Sequence, residues 1–137
     1  MNIQKLTNAD DRALFEMLRK EGDDWACYHA GEAEARYRRA LARSFTLVAY
    51  EDEILCGYIR VRDDDGFGVY VYDLLVDKDF RGRNIGKALV DAVCAAFPHD
   101  AVYVMSGADG YYEKQGYCRE GSIFSVQIPK SGPAING

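Results

Sequence analysis

The segment DLLVDKDFRGRNIGKALVDAV, residues 73 to 93, constrains this chain more than any other part of the sequence. It joins an apolar strand pattern to an amphipathic helix through a basic turn that contains two glycines. Helix N-termini leave backbone N–H groups without partners, and the helix dipole attracts an anion there. Gly82 and Gly86 let a ligand approach the backbone closely. Positive charge is added by Arg81, Arg83 and Lys87. The segment predicts an anion-binding turn, with a plain strand-to-helix connection carrying solvated arginines as the alternative.

Two common nucleotide-binding motifs do not fit this turn. A Walker A loop needs G-x-x-x-x-G-K-[ST], whereas Lys87 is followed by Ala88. A dinucleotide fingerprint needs G-x-G-x-x-G, and the sequence RGRNIG does not supply it. Neither motif therefore identifies the anion.

The length and charge of the chain narrow the classes of protein to consider. A chain of 137 residues suits one domain, and a net charge of −5 disfavours nucleic acid as a partner. No apolar run approaches the roughly 18 residues of a membrane span, and the N-terminus has no signal-peptide pattern. We therefore expect a cytoplasmic protein that binds neither nucleic acid nor membrane.

The cysteines and histidines predict neither disulfides nor a metal site. The four cysteines are irregularly spaced and form no C-x-x-C pair, which is typical of reduced thiols in the cytosol. The two histidines, His29 and His99, have no second candidate ligand near them in sequence. We expect no bound metal.

Hydrophobic periodicity predicts the element order ααβββαβαβ. The predicted helices cover about residues 8–20, 31–43, 85–97 and 107–115, and residues 21–29 read as a loop. The predicted strands cover about residues 45–50, 54–62, 69–76, 101–106 and 122–128. This order predicts an α+β, three-layer fold in which helices flank a mixed, mostly antiparallel sheet, with a parallel crossover over residues 69–106. We expect one domain over residues 1–128 and a mobile tail over 129–137.

Two motifs in this order resemble the GNAT superfamily of N-acetyltransferases, and in particular its small, single-domain bacterial members. The family signature [QR]-x-x-G-x-[GA] follows a strand that ends in L-x-V. Arg81, Asn84 and Gly86 match the signature, and Leu74-Leu75-Val76 matches the strand end. Asn84 replaces the first signature glycine, a mild departure because Asn tolerates left-handed backbone angles. Downstream, residues 111 to 117 (YYEKQGY) are similar to the family segment F-Y-E-K-x-G-F.

The resemblance implies that acetyl-coenzyme A is the cosubstrate. Its pyrophosphate would bind the turn, and its pantetheine arm would run along the end of the preceding strand, where the family separates two parallel strands. The implied turn residues are Arg81, Gly82, Arg83, Asn84, Ile85, Gly86 and Lys87. The implied strand residues are Leu74, Leu75 and Val76.

The reaction implied is direct attack of an amine on a thioester within a ternary complex. An alkyl amine is only on the order of one part in a thousand neutral at pH 7, so a group or a water chain must take its proton. Asp73 interrupts an apolar strand and is the candidate base, directly or through water, with a structural role as the alternative. Tyr70 and Tyr72 are alternative holders of a water relay. A backbone N–H near Val76 would stabilise the thioester oxygen.

By resemblance, Tyr112 donates to the leaving thiolate, although it could be an ordinary packed aromatic. A phenol is a weaker acid than a thiol, and full proton transfer is uphill by roughly 2 kcal/mol unless the site shifts one pKa. A hydrogen bond to the thiolate would then precede any proton transfer.

The family's acceptor pocket is roofed by the first two helices and the loop between them. Trp25 and Tyr28 fall in that loop and are candidates for binding the substrate, or for holding the loop in place. The sequence thus predicts acetylation of a primary amine on a small molecule. The alternatives are acetylation of a protein amine, a different acyl group, or a non-catalytic CoA-binding regulatory module. The family often dimerises, so a homodimer is allowed, although no stretch of the sequence predicts an interface.

Overall fold

A computed structural model describes residues 1–127 and contains a five-stranded sheet in the order β1-β2-β3-β4-β5. The strands are β1 (Asn2–Lys5), β2 (Phe45–Glu51), β3 (Ile54–Asp63), β4 (Val69–Val76) and β5 (Val102–Val104). The α-helices are α1 (Asp11–Glu21), α2 (Ala26–His29), α3 (Ala33–Ala42), α4 (Ile85–Ala96) and α5 (Asp109–Lys114). Short 3₁₀ turns occur at Asn8–Asp10, Gly22–Trp25 and Lys78–Phe80.

The sheet is mixed and mostly antiparallel, as predicted. Strands β1 to β4 pair antiparallel with their neighbours, while β5 lies parallel to β4. A parallel neighbour needs a crossover connection, and α4 supplies it. The helix and strand that flank the basic turn are thus consecutive parts of one β–α–β unit.

Three predicted features differ from the structure. The short edge strand β1 was not predicted, because NIQK carries a single large apolar residue and its strand conformation comes from pairing with β2. Residues 22–29, predicted as a loop, form the 3₁₀ turn Gly22–Trp25 and the helix α2. The final strand predicted at 122–128 is wrong for the described part, since residues 122–127 form no strand.

Helices cover both faces of the sheet. Side chains of α1 and α3 form a buried cluster with one face; this cluster contains Leu14, Phe15, Met17, Leu18, Tyr37, Leu41, Val48, Leu55, Tyr58 and Leu75. Helix α4 covers the opposite face, where Ile85 and Leu89 lie directly over Gly57 of β3. Strand β4 lies between the central strand β3 and the edge strand β5, and the basic turn follows its C-terminal end.

The chain divides into two compact units, Met1–Gly107 and a second unit that begins at Ala108. The first contains the sheet and helices α1 to α4, and the second contains α5. The tail predicted over residues 129–137 lies outside the described residues, as does residue 128. Across residues 1–127, no helix has both the length and the apolar character needed to span a bilayer.

Candidate functional site

Within residues 1–127, the second half of β4 has no strand partner on the β5 side. The β4–β5 ladder ends at the pair Val71–Val104, whereas β4 continues to Val76. Within the β3–β4 ladder, Arg60 pairs with Asp73 and Val61 with Val71, so Tyr72 is the extra residue of a β-bulge, and it directly follows the last residue of β4 that pairs with β5. Beyond Val71, the backbone groups of β4 are therefore not paired with β5, and this is the part of the strand that the family resemblance requires to be open.

The backbone at the open edge points toward the gap. The Asp77 N–H donates to the Cys56 carbonyl of β3 at 2.8 Å, which directs the backbone groups of Asp77 toward β3. Because these directions alternate along a strand, the groups of Leu74 and Val76 point away from β3. An extended ligand lying beside β4 would meet the N–H and C=O groups of Leu74 and Val76.

The basic turn leads from this edge into α4. Gly82 has φ 81°, and Asn84 has φ 60° and ψ 23°, so both adopt left-handed conformations. Asn84, which replaces the first signature glycine, thus adopts the left-handed conformation that asparagine tolerates. Helix α4 begins at Ile85, and the N–H groups of its first turn precede any acceptor within the helix. These donors suit an anion.

Two of the three predicted cations of the turn are held by carboxylates. The Arg81 guanidinium lies 2.6 Å from Glu21 and donates from Nε to the Val76 carbonyl at 3.1 Å. Lys87 lies 2.8 Å from Asp91, one helical turn further along α4. Arg83 lies over the Phe80 ring. The positive charge near the turn is therefore partly compensated.

A second ion-pair group ties α1 to the start of the turn. The Lys20 ammonium lies 2.8 Å from Asp77 and 2.6 Å from Asp79. Asp77 also accepts the Asp79 N–H at 2.9 Å and so caps the 3₁₀ turn Lys78–Phe80. Burial alone would raise the pKa of Asp77, but the hydrogen bonds from Lys20 and from the Asp79 N–H lower it overall.

Asp73 lies at the centre of a buried polar network and is only 3% exposed. Its Oδ2 accepts from the Tyr37 hydroxyl at 2.6 Å and from Arg60 Nε at 2.5 Å. Its Oδ1 accepts from the Tyr28 hydroxyl at 2.7 Å. Since the single Tyr37 proton is directed to Asp73, the Tyr58 hydroxyl, 2.7 Å away, donates to Tyr37. The carboxylate is thus both paired and hydrogen-bonded.

Sequence reasoning missed three members of this network, Tyr37, Tyr58 and Arg60. Burial and the adjacent Asp73 carboxylate raise the pKa of Tyr37 well above that of a free phenol. Arg60 also donates from Nη1 to the Ser44 hydroxyl at 3.2 Å. An arginine in one apolar strand and an aspartate in the next could have indicated an ion pair between the two strands. The sequence does not show the bulge, which determines that Arg60 lies opposite Asp73.

The segment 22–29, which we call the roof, brings both predicted acceptor residues to Asp73. Trp25 packs on Tyr58, with ring centroids 6.4 Å apart, and on Tyr28, at 5.3 Å. Tyr28 packs on Tyr37 at 4.5 Å and reaches Asp73 with its hydroxyl. Burial first, and then the Asp73 carboxylate, raise the pKa of Tyr28 well above its ordinary value. Trp25, Tyr28 and Asp73 form one contiguous group.

Tyr112 belongs to the C-terminal unit, on α5. Its ring stacks on Tyr117 at 6.3 Å and meets the Tyr111 ring edge-on at 5.0 Å. Burial raises the pKa of Tyr112 to about 12, so this phenol keeps its proton throughout the neutral range.

The remaining titratable side chains show no arrangement suited to a metal ion. Within residues 1–127, no group of three or more His, Cys, Asp or Glu side chains is placed to hold one. The four cysteines are free thiols.

Comparison with known proteins identifies the fold. Residues 16–127 match the family model described as the acetyltransferase (GNAT) domain. No curated protein sequence matches the chain significantly. A protein assigned to the GNAT family from Xanthomonas campestris pv. campestris superimposes with a TM-score of 0.68 at 23% identity, covering 94% of this chain and 95% of its own.

Two further solved structures share the fold. A ribosomal-protein-alanine N-acetyltransferase from Brucella melitensis biovar Abortus 2308 has a TM-score of 0.74 at 17% identity, over 93% of this chain and 100% of its own. An N-acetyltransferase from Thermoplasma acidophilum, solved in complex with coenzyme A, has a TM-score of 0.65 at 16% identity, over 84% and 86%. With the open β4 edge and the left-handed turn at Asn84, the family match leads to one conclusion: this chain belongs to the GNAT acetyltransferase family.

Proposed function

We propose that this protein is an acetyl-CoA-dependent N-acetyltransferase that acts on the primary amine of a small molecule. The observation that carries the proposal is the opening of the sheet at Val71–Val104, because it exposes the backbone of β4 immediately before the glycine turn. The buried Asp73 lies at the same bulge. Along residues 73 to 87, a carboxylate is thus followed by a strand edge with backbone hydrogen-bonding groups and then by an anion-binding turn.

Acetyl-CoA fits the residues present. Leu74 and Val76 present backbone donors and acceptors at the open edge, as an extended chain of amides requires. The α4 N-terminus and the turn over residues 81–87 supply N–H donors for a pyrophosphate. When bound, acetyl-CoA supplies an acyl group activated as a thioester.

The protein side of the chemistry falls to a few groups. Asp73, directly or through an intervening group, accepts the proton that the amine must lose before attack. A backbone N–H near Val76 stabilises the charge that develops on the carbonyl oxygen. Tyr112, with a pKa raised to about 12, holds its proton and donates a hydrogen bond to the leaving sulfur.

The chemistry of the roof supports a small cationic or aromatic acceptor. Trp25 and Tyr28 present aromatic surface beside Asp73, and Asp23 and Asp24 are exposed at the start of the roof. The carboxylates attract an amine in its charged form, and the rings pack on an apolar substituent. A protein amine is the second candidate, because one structural relative is named as a ribosomal-protein-alanine N-acetyltransferase.

Thermal unfolding with and without acetyl-CoA tests the cofactor first, with ATP and NAD as controls. Ligand at 100 times its dissociation constant stabilises the folded state by about 2.7 kcal/mol. For a domain of this size the expected rise in Tm is roughly 6–15 °C. We expect this rise in Tm with acetyl-CoA and not with ATP or NAD. An unchanged Tm at saturating acetyl-CoA would refute the cofactor assignment.

Release of free CoA thiol then tests transfer. Three acceptors separate the substrate classes: 2-phenylethylamine for the aromatic roof, spermidine for its carboxylates, and a short peptide with N-terminal alanine for the protein alternative. We expect a small amine to be acetylated faster than the peptide. Binding of acetyl-CoA without transfer to any of the three would favour a non-catalytic CoA-binding module.

A further inference from the structure

The two carboxylate oxygens of Asp73 have different partners. Oδ2 is held by Tyr37 and by Arg60, which come from α3 and β3. Among residues 1–127, Oδ1 accepts a hydrogen bond from Tyr28 alone, and Tyr28 belongs to α2, a helix of four residues within the roof. One oxygen is therefore fixed by the core of the fold, and the other is reached through the segment that faces the acceptor.

Asp73 itself is not accessible to a substrate. The residue is 3% exposed, and Tyr37 is 5% exposed. Tyr28 is only partly buried. An amine that approaches from the roof side meets the Tyr28 hydroxyl before it can meet the carboxylate.

Of the groups that contact Asp73, only Tyr28 can carry a proton to it from the acceptor side. Arg60 retains its proton at every relevant pH and has no acceptor atom. The Tyr37 hydroxyl is buried and already accepts from Tyr58. The Tyr28 hydroxyl donates its proton to Oδ1, and its oxygen can still accept a hydrogen bond from another donor. The other titratable side chains on α2 are Cys27, which is exposed and interacts electrostatically with Tyr28, and His29, whose Nε2 lies 3.0 Å from the Gly22 carbonyl oxygen.

We propose that Tyr28 is the proton relay between the acceptor amine and Asp73, an inference that rests on the proposed acetyltransferase function. The ammonium donates an N–H to the Tyr28 oxygen. As that N–H bond breaks, the proton passes to the phenol oxygen and the original phenol proton passes to Oδ1. The products are a neutral amine, a neutral Tyr28 and a protonated Asp73. After acetyl transfer, the proton leaves Asp73 to solvent by the reverse path.

The electrostatics of Tyr28 agree with a relay. Burial and the neighbouring carboxylate raise its pKa, so the phenol does not persist as a phenolate. A group that receives one proton while it passes on another stays neutral throughout. Arg60 beside Asp73 remains charged and compensates the carboxylate before the transfer.

The test compares Tyr28→Phe with Tyr37→Phe, because each removes one hydroxyl that donates to the same carboxylate. Initial rates are measured from pH 6 to pH 10 with whichever of 2-phenylethylamine, spermidine and the alanine peptide the wild type acetylates fastest. We expect Tyr28→Phe to lower kcat on the order of 10²-fold at pH 7, the lower range for a positioned proton transfer. The loss should shrink as the pH approaches the pKa of the amine, and the KM for acetyl-CoA should not change.

Tyr37→Phe is the matched control for the loss of a hydrogen bond alone. We expect a smaller loss in kcat, by the same factor at every pH, because the route through Tyr28 stays intact. If Tyr28→Phe gives no cooperative unfolding transition, Tyr28→His is the second variant, since an imidazole accepts and donates at once and should recover part of the activity.

Three results would overturn the relay. They are equal losses for both phenylalanine variants at every pH, a Tyr28→Phe pH profile that matches the wild type, or, where Tyr28→Phe does not fold, a folded Tyr28→His variant that shows no transfer at any pH from 6 to 10. A wild-type chain that binds acetyl-CoA and acetylates none of the three amines would overturn the proposed function, and the relay with it. Failure of the proposed function can be distinguished from failure of the relay alone, because it is seen with the wild-type protein before any variant is made.

Discussion

Two aspartates four positions apart, Asp73 and Asp77, are each neutralised by a cation from a different part of the fold. Arg60 of the neighbouring strand holds Asp73, and Lys20 of α1 holds Asp77. Asp73 could be singled out from the sequence because a carboxylate is costly in an apolar strand. Its partners could not, because the Tyr72 bulge decides the register that brings Arg60 opposite Asp73.

The lowered pKa of Asp77 predicts a pH-dependent contribution to stability. A carboxyl whose pKa is lower in the folded than in the unfolded protein stabilises the fold above its unfolded pKa, near 3.8, and loses that contribution as the pH falls through the folded pKa. Asp77→Asn keeps an acceptor for the Asp79 N–H and removes the charge. We expect its Tm to lie a few degrees below that of the wild type between pH 5 and 8, and the difference to close below about pH 4.

Thermal unfolding followed by circular dichroism across this pH range measures the effect. Asp91→Asn is the control, because the Lys87–Asp91 pair is exposed on α4 and such pairs contribute little. A Tm difference for Asp77→Asn that is equal at pH 3 and pH 7 would show that its charge is not the cause.

At the scale of elements, prediction succeeded where the chain determines its own conformation and failed where pairing does. The bounds of β4 were predicted as observed, because VYVYDLLV is buried and β-branched. Helix α4 was predicted from its apolar stripe and its Pro98 stop. Strand β1 depends on hydrogen bonds to β2, and the roof depends on packing against Tyr58, so neither has a local signal.

The packing of α4 on the sheet depends on the absence of a side chain at Gly57. A Cβ there would lie 3.1 Å from the Leu75 carbonyl oxygen and 3.3 Å from Ile85 Cγ2 and Leu89 Cδ1. The carbonyl belongs to the adjacent strand and cannot retreat without disturbing the β3–β4 ladder. We expect Gly57→Ala to lower the free energy of unfolding by about 1–3 kcal/mol, as overpacking does.

Urea unfolding measures that change, with Gly107→Ala as the control because a Cβ at Gly107 meets no atom within 4 Å. If the added Cβ displaces α4, acetyl-CoA binding should also weaken, because the turn leads directly into this helix. Equal unfolding free energies for the two variants would contradict the close packing inferred at Gly57.

At the scale of the molecule, the residues with proposed catalytic roles lie far apart in the sequence. The cofactor turn, Asp73 and Tyr28 belong to Met1–Gly107, and Tyr112 belongs to the unit that follows. The family resemblance implied the turn residues and Tyr112, whereas Asp73 was predicted from the cost of a carboxylate in an apolar strand and Tyr28 from an aromatic side chain in the loop that the family places over the acceptor.

Direct transfer predicts that both substrates occupy the enzyme at once. The Cys56 thiol is buried and donates to the Ala49 carbonyl at 3.4 Å, and burial raises its pKa, so it is a poor nucleophile. Cys27 is exposed in the roof, so it is the thiol that must be tested as a nucleophile that could carry the acetyl group. We expect intersecting double-reciprocal plots when both substrates are varied, and wild-type kcat for Cys27→Ser. Parallel plots together with an inactive Cys27→Ser variant would indicate an acetylated cysteine instead.

The ion pairs between the end of α1 and the turn have a consequence for redesign. The roof begins immediately after Glu21, and Lys20 and Glu21 are the residues that bind Asp77, Asp79 and Arg81. The roof, which we propose faces the acceptor, therefore begins directly after the residues that tie α1 to the turn. A graft that replaces residues 22–27 and keeps Lys20, Glu21 and Tyr28 should exchange the rest of the roof while the turn and the proposed relay stay in place, whereas one that begins two residues earlier also cuts the ion pairs between the turn and α1.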